Sequence, residues 1–319
     1  MLMEMVLNIV LLLVGFVLLI KGADFFVDGS SSVAKIIGVP GFVIGLTVVA
    51  MGTSAPEAAV SITAGFQGSN EIAISNVVGS NIFNLLVVAG LCAVLKPYSI
   101  EKTMLRRDFP VNIIVNAILL VMIYMGKAMG LVDGILMLVL FAAYIAWVVL
   151  TAFKDKEAQA EADEVKKMSP VRSILYILGG LGAVILGGQL VVNNAQDIAL
   201  AFGLSETFIG LTIIAIGTSL PELVTSVVAA KKGESGLALG NVIGSNIFNI
   251  MLILGLSSSL NPIATDMSSI INVVILLAVT SLIFVACLIK KGMGRVVGGI
   301  SVLGYVAYTV YLVMTSATV

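Results

Sequence analysis

The chain has no histidine in 319 residues, only two cysteines and one tryptophan, and 11% charged residues. Each shortage excludes something. Without imidazole there is no histidine metal site and no histidine proton relay, so any metal must be held by oxygen. Cys92 and Cys287 both sit in apolar runs, which argues for two inert buried thiols rather than a disulfide framework and locates no redox compartment. What the chain has in excess is apolar. Hydrophobic residues make up 59% of it and mean hydropathy is +1.15, more than a soluble core could hide. The chain therefore reads as an all-α polytopic membrane protein whose first partner is the lipid bilayer. Its net charge of -1 says little about others, and nothing points to nucleic acid or to an obligatory protein partner.

About 20 apolar residues cross the hydrocarbon core. That ruler predicts ten transmembrane helices, over residues 6–37, 41–66, 72–95, 109–125, 131–153, 171–202, 207–230, 236–260, 267–289 and 296–314. The first has Glu4 and no positive charge before it, and no small-residue cleavage site after it, so it resembles a first membrane helix more than a signal peptide. The one long polar stretch, KDKEAQAEADEVKKM from Lys154 to Met168, is short and mixed in charge, as a solvated helical linker would be.

The two sides of that linker repeat each other at an offset of 165 residues. Gly15 pairs with Gly180, Gly22 with Gly187, Gly38 with Gly203, Gly90 with Gly255 and Pro97 with Pro262. GLTVVAMGTSAPE from Gly45 matches GLTIIAIGTSLPE from Gly210 at nine of thirteen positions, and GSNIFN from Gly79 returns intact from Gly244. The organisation expected is a first five-helix repeat over 1–153, a linker over 154–170 and a second five-helix repeat over 171–319. Five is odd, so the second copy enters the membrane from the opposite side, an inverted-topology repeat. Charge tests this independently. With both termini outside, fifteen of the seventeen basic residues fall on the inner side, leaving only Lys127 outside and Lys21 within the first helix. The expected location is a cell inner or plasma membrane, multi-pass, with the linker 154–170 cytoplasmic.

Chemistry gathers at two motifs. In Gly52–Glu57, GTSAPE, Pro56 lacks an N–H and Gly52 weakens the same turn, so the helix should break mid-membrane. Ser54 and Glu57 have the spacing of a capping box that restarts it. The break exposes carbonyls near Ala50 and Thr53 and brings the Glu57 carboxylate beside them, hard oxygen ligands suited to Ca²⁺ or Na⁺. Ala215, Thr218, Ser219 and Glu222 repeat the arrangement. A kinked, self-capped helix is the plainer reading of one copy. Two buried carboxylates at related positions, with no basic residue in the flanking apolar text, call for a cation. The second motif, NVVGSNIFN, puts Asn76, Ser80 and Asn84 on one helical face, repeated by Asn241, Ser245 and Asn249. Interhelical packing explains such a stripe taken alone; next to GTSxPE it completes a coordination shell. Asn81 and Asn246 point elsewhere and are expected only to pack. Asp24, Asp28, Asn193, Asn194 and Asp197 are either entrance residues or solvated helix ends.

These paired segments on two five-helix halves resemble the α-repeats of the cation/Ca²⁺ antiporter superfamily, specifically its sodium/calcium exchanger branch, over nearly the whole chain. The resemblance implies that the second, third, seventh and eighth helices surround the ions while the first and sixth move across them. It assigns Ca²⁺ ligation to the Glu57 and Glu222 carboxylates and the Thr53 and Thr218 carbonyls. Flanking Na⁺ sites fall on Ala50, Ser54, Ser80, Asn84, Ala215, Ser219, Ser245 and Asn249. Some archaeal and potassium-dependent relatives carry an acid where this chain has Asn249, which argues against potassium dependence and leaves proton coupling open. The expected function is a secondary antiporter exchanging Ca²⁺ for Na⁺, with no cofactor because the ions are substrates. The alternatives are a Ca²⁺/H⁺ antiporter or a cation channel, for which carboxylate rings also serve. With no histidine and no HExxH motif, an intramembrane enzyme is not expected.

Overall fold

Apolar runs bounded by glycine, proline or charge become helices throughout the computed structural model, which describes residues 2–67, 70–126, 128–153, 168–202 and 215–316. In chain order the helices are α1 (Leu2–Ile37), α2 (Gly41–Thr53), α3 (Ala55–Gln67), α4 (Ile72–Leu95), α5 (Met104–Gly126), α6 (Leu131–Ala152), α7 (Pro170–Ala201), α8 (Ala215–Gly217), α9 (Leu220–Lys232), α10 (Ser235–Leu260), α11 (Met267–Lys290) and α12 (Arg295–Ser316). Among the described residues eight helices are long and apolar enough to cross a membrane, or nine if α2 and α3, bent by 50° at Ser54, form one broken span. Of the span expected over 207–230, residues 207–214 lie outside the described residues, and the remainder carries α8 and α9. Linker residues 154–167 also lie outside them.

Burial sorts these helices into layers. The most apolar window of α10 is 94% buried and that of α4 is 83%, against 11% for α1 and α12. The two helices carrying the GSNIFN motif therefore form the centre, and α1 and α12 turn apolar side chains such as Leu13, Val17, Ile300 and Leu303 outward. Short strands tie the ends: β1 (Tyr98–Ser99) pairs antiparallel with β4 (Gly292–Met293), and β2 (Ala128–Met129) with β3 (Ile263–Ala264).

The long helices α1 and α7 run against each other at glycine spacing. A methyl group on Gly22 would lie 2.8 Å from the Gly180 carbonyl oxygen, and one on Gly187 would lie 2.7 Å from that of Gly15. Only glycine permits that approach. Gly179 and Gly182, on either side of Gly180 in α7, instead face open space. A second finding concerns Arg107, which precedes the helix expected over 109–125. It is buried, bonds Asp108 at 2.7 Å and Thr151 of α6 at 2.6 Å, and lies 5.9 Å from the ring centres of Phe42 and Trp147. Asp108 also accepts from the Tyr144 hydroxyl at 3.0 Å. This closed network joins α5 to α6 and α2.

Candidate ion-binding site

The proline breaks the helix where the sequence predicts. Ser54 leaves helical geometry (φ -80°, ψ 10°) between α2 and α3, and Ser219 does the same (φ -90°, ψ 6°) between α8 and α9. Pro56 and Pro221 then occupy the first turn of the next helix, where a missing N–H costs nothing. Each restarted helix carries its glutamate in that turn, where the helix dipole favours a negative charge. Glu57 and Glu222 are both buried, and among the described residues neither is in an ion pair.

The carboxylates are held across the molecule rather than within one half. The Ser54 hydroxyl donates to Glu222 Oε1 at 2.8 Å, and Ser219 donates to Glu57 Oε1 at 3.0 Å. Ser80 reaches the same Glu57 oxygen at 3.4 Å. Glu57 Oε2 and Glu222 Oε2 have no partner, and neither do Asn84 Oδ1, Asn249 Oδ1, Ser245 Oγ and Thr218 Oγ1, all of them buried. Buried polar atoms are ordinarily satisfied. Six unsatisfied oxygens, all of the hard-ligand type, thus lie on the two motif pairs. Among the described residues no cluster of three or more acids, histidines or cysteines forms, so the fixed charge comes from two carboxylates.

Several other residues from the sequence reading make bonds within the protein. Thr53 Oγ1 donates to the Val49 carbonyl at 3.1 Å and to Asn241 Oδ1 at 3.0 Å. The Ala50 carbonyl accepts the Ser54 N–H at 3.1 Å, and Ala215 opens α8. Asn76 and Asn241 tie each stripe to the neighbouring helix, through Ser61 at 2.9 Å and Ser226 at 2.9 Å. Asp24 and Asp28 pair with Lys232 of α9, at 3.4 and 2.6 Å, and Asn194 bonds the Leu190 carbonyl.

Sequence reasoning missed two residues. Asn81 and Asn246 were expected only to pack, yet each donates its amide to the other's backbone carbonyl, at 3.0 and 3.1 Å. Each also accepts from a stripe residue: Asn246 Oδ1 from Asn84 at 3.2 Å, and Asn81 Oδ1 from Asn249 at 3.0 Å. Their separation of 165 residues was the available signal. At both stripes the helix widens to π geometry, over Asn84–Val88 and Asn249–Leu254, a deviation often found at functional sites.

Two segments of the chain, residues 7–150 and 172–314, match the sequence profile of the family described as sodium/calcium exchanger protein. The chain belongs to that family. A relative, the sodium/calcium exchanger MaX1 of Methanosarcina acetivorans, is 33% identical over 351 residues, covering 96% of this chain and 98% of that one. The inner membrane protein YrbG of Escherichia coli is 35% identical over 265 residues and 81% of each chain. The solved sodium-calcium exchanger NCX_Mj superposes with a TM-score of 0.85 at 33% identity, over 96% of this chain and 99% of that one. This family member is thus a multi-pass membrane transporter rather than an enzyme, with the helical fold of NCX_Mj.

Proposed function

We propose that this chain exchanges Ca²⁺ for Na⁺ across a membrane by alternating access. One observation carries the reading: two buried carboxylates, each bonded by a serine from the opposite half, keep one oxygen apiece uncommitted. Two such charges balance one Ca²⁺, or the cage holds several Na⁺, which is similar in size and carries half the charge. Occupancy by one kind of ion excludes the other. An empty cage leaves two bare carboxylates in a low-dielectric interior, at a cost of several kcal/mol per ion, so transit is favoured only when it is loaded.

In this reading Glu57, Glu222 and the Thr53 and Thr218 carbonyls hold Ca²⁺, while Ala50, Ser54, Ser80, Asn84, Ala215, Ser219, Ser245 and Asn249 serve Na⁺. The ions are substrates, and no cofactor is required. The ten-helix inverted repeat, divided at 1–153, 154–170 and 171–319, belongs to the same proposal. So do outward-facing termini and a cytoplasmic linker 154–170. Family matches whose starts lie 165 residues apart support the division.

Reconstituted into liposomes loaded with Na⁺ and diluted into Na⁺-free medium, the protein should accumulate Ca²⁺. Uptake indifferent to Na⁺ but driven by a pH gradient would overturn the coupling. Downhill Ca²⁺ flux without any counter-ion would overturn antiport.

A further inference from the structure

The four asparagines at the centre of the molecule form a chain of hydrogen bonds whose direction is not arbitrary. An asparagine amide can be turned over, presenting either its oxygen or its NH₂ to a neighbour, and only the surrounding bonds decide which. A backbone carbonyl can accept but never donate. The Asn246 carbonyl lies 3.0 Å from Asn81 Nδ2, so that end of the Asn81 amide must be its nitrogen. Asn81 Oδ1 is then the end facing Asn249, at 3.0 Å, and Asn249 must present its nitrogen to it. The oxygen of Asn249 is thereby turned the other way, and Asn249 Oδ1 is one of the buried oxygens without a partner. The same sequence runs in the other half, from the Asn81 carbonyl through Asn246 to Asn84 Oδ1. All four side chains are buried, so no water competes for these bonds.

We infer that Asn81 and Asn246 are positioning residues that set the polarity of the cage: each locks the amide of the opposite half so that Asn249 and Asn84 offer oxygen, not NH₂, to the transported cation. This deepens the reading above and rests on it. Neither positioning residue touches the ion. Their effect passes through the two amides assigned to Na⁺, while the glutamates, to which neither Asn81 nor Asn246 is bonded, are untouched. The arrangement answers a difficulty particular to amides, since a carboxylate has two like oxygens and needs no such orientation. It also accounts for the identity of GSNIFN in both halves at a position whose side chain faces away from the site.

The test is Na⁺-driven Ca²⁺ exchange in proteoliposomes, with half-saturation measured separately for each ion. Asn81→Ala frees the Asn249 amide to turn, and loss of one oxygen ligand should raise the half-saturating Na⁺ concentration about tenfold. The half-saturating Ca²⁺ concentration should stay within about twofold. Asn246→Ala should do the same through Asn84. A second pair guards against a merely damaged protein: with Asn249→Ala there is no amide left for Asn81 to orient. Asn81→Ala added to Asn249→Ala should therefore leave the Na⁺ half-saturation of Asn249→Ala alone within about twofold. A parallel rise for both ions, or an equal Na⁺ effect in the two backgrounds, would show that Asn81 is only structural and overturn the inference. Wild-type protein without Na⁺-coupled exchange would instead bring down the functional reading on which it rests.

Discussion

Glu57 and Glu222 each have one oxygen engaged by a serine from the other half and one engaged by nothing. One or two hydroxyl hydrogen bonds offset only part of what a carboxylate loses on leaving water, so without a cation both residues weaken the fold. In the proposed function they are the charged ligands of Ca²⁺. Glu57→Gln and Glu222→Gln should therefore act in opposite senses on two measurements. Each should raise the melting temperature of the ion-free protein, because a repelling buried charge is gone. Each should also weaken Ca²⁺ affinity by about 100-fold or more and abolish the Ca²⁺-induced rise in melting temperature. A variant that still gains stability with Ca²⁺ like the parent would remove that glutamate from the site. The acids, hydroxyls and amides that bond one another here stood out in the sequence because each motif occurs twice. Asn81 and Asn246 were not, because helical periodicity turns them away from the stripe, and periodicity says nothing of a partner helix on that side.

At the scale of elements, what the sequence foretells well is where a helix must stop, and what it foretells poorly is how a helix is deformed or what it meets. Pro56 and Pro221 announce their breaks by lacking an N–H. The π segments at Asn84 and Asn249 leave no such mark, being compromises reached between packed helices. Arg107 was misplaced for a related reason, since charge alone suggests a loop and only Asp108, Tyr144 and Thr151 together make its burial tolerable. The glycines divide in the same way. Gly22 touches the α7 backbone, whereas Gly179, on the same kind of apolar helix, touches nothing. Gly22→Leu should force α1 and α7 apart and lower Na⁺-driven Ca²⁺ uptake more than about tenfold together with melting temperature. Gly179→Ala should leave uptake within about twofold and add a few tenths of a kcal/mol or more of helix propensity. Comparable losses from both would mean that the glycines matter for chain flexibility rather than for the α1–α7 contact.

At the scale of the whole molecule, several contacts between the halves come in exchanged pairs, although Thr53 to Asn241 has no counterpart at Thr218. Ser54 to Glu222 is answered by Ser219 to Glu57, and Asn84 to Asn246 by Asn249 to Asn81. The β1–β4 pairing is answered by β3–β2, and the approach of Gly22 to Gly180 by that of Gly187 to Gly15. An exchanger built this way would treat its two sides alike if nothing broke the equivalence. Lys232 breaks it. On α9 it pairs with Asp24 and Asp28 of α1, while the positions related to these three by the 165-residue shift are Gln67, Gln189 and Asn193, which carry no charge. The link therefore joins α1 to the cage-bearing helix α9 at one end of the molecule only. Its charges are partly exposed, so it contributes no more than about 1 kcal/mol and is screened by salt. That is still enough to shift a balance between two conformations about two- to fivefold. Lys232→Gln should change the ratio of Ca²⁺ half-saturations measured from the two faces of the membrane by that factor, with maximal turnover retained. High ionic strength should move the parent protein toward the same ratio and leave the variant unmoved. A ratio indifferent to both would mean that α1 keeps this position without the ion pair, and that the asymmetry of the exchanger arises elsewhere in the fold.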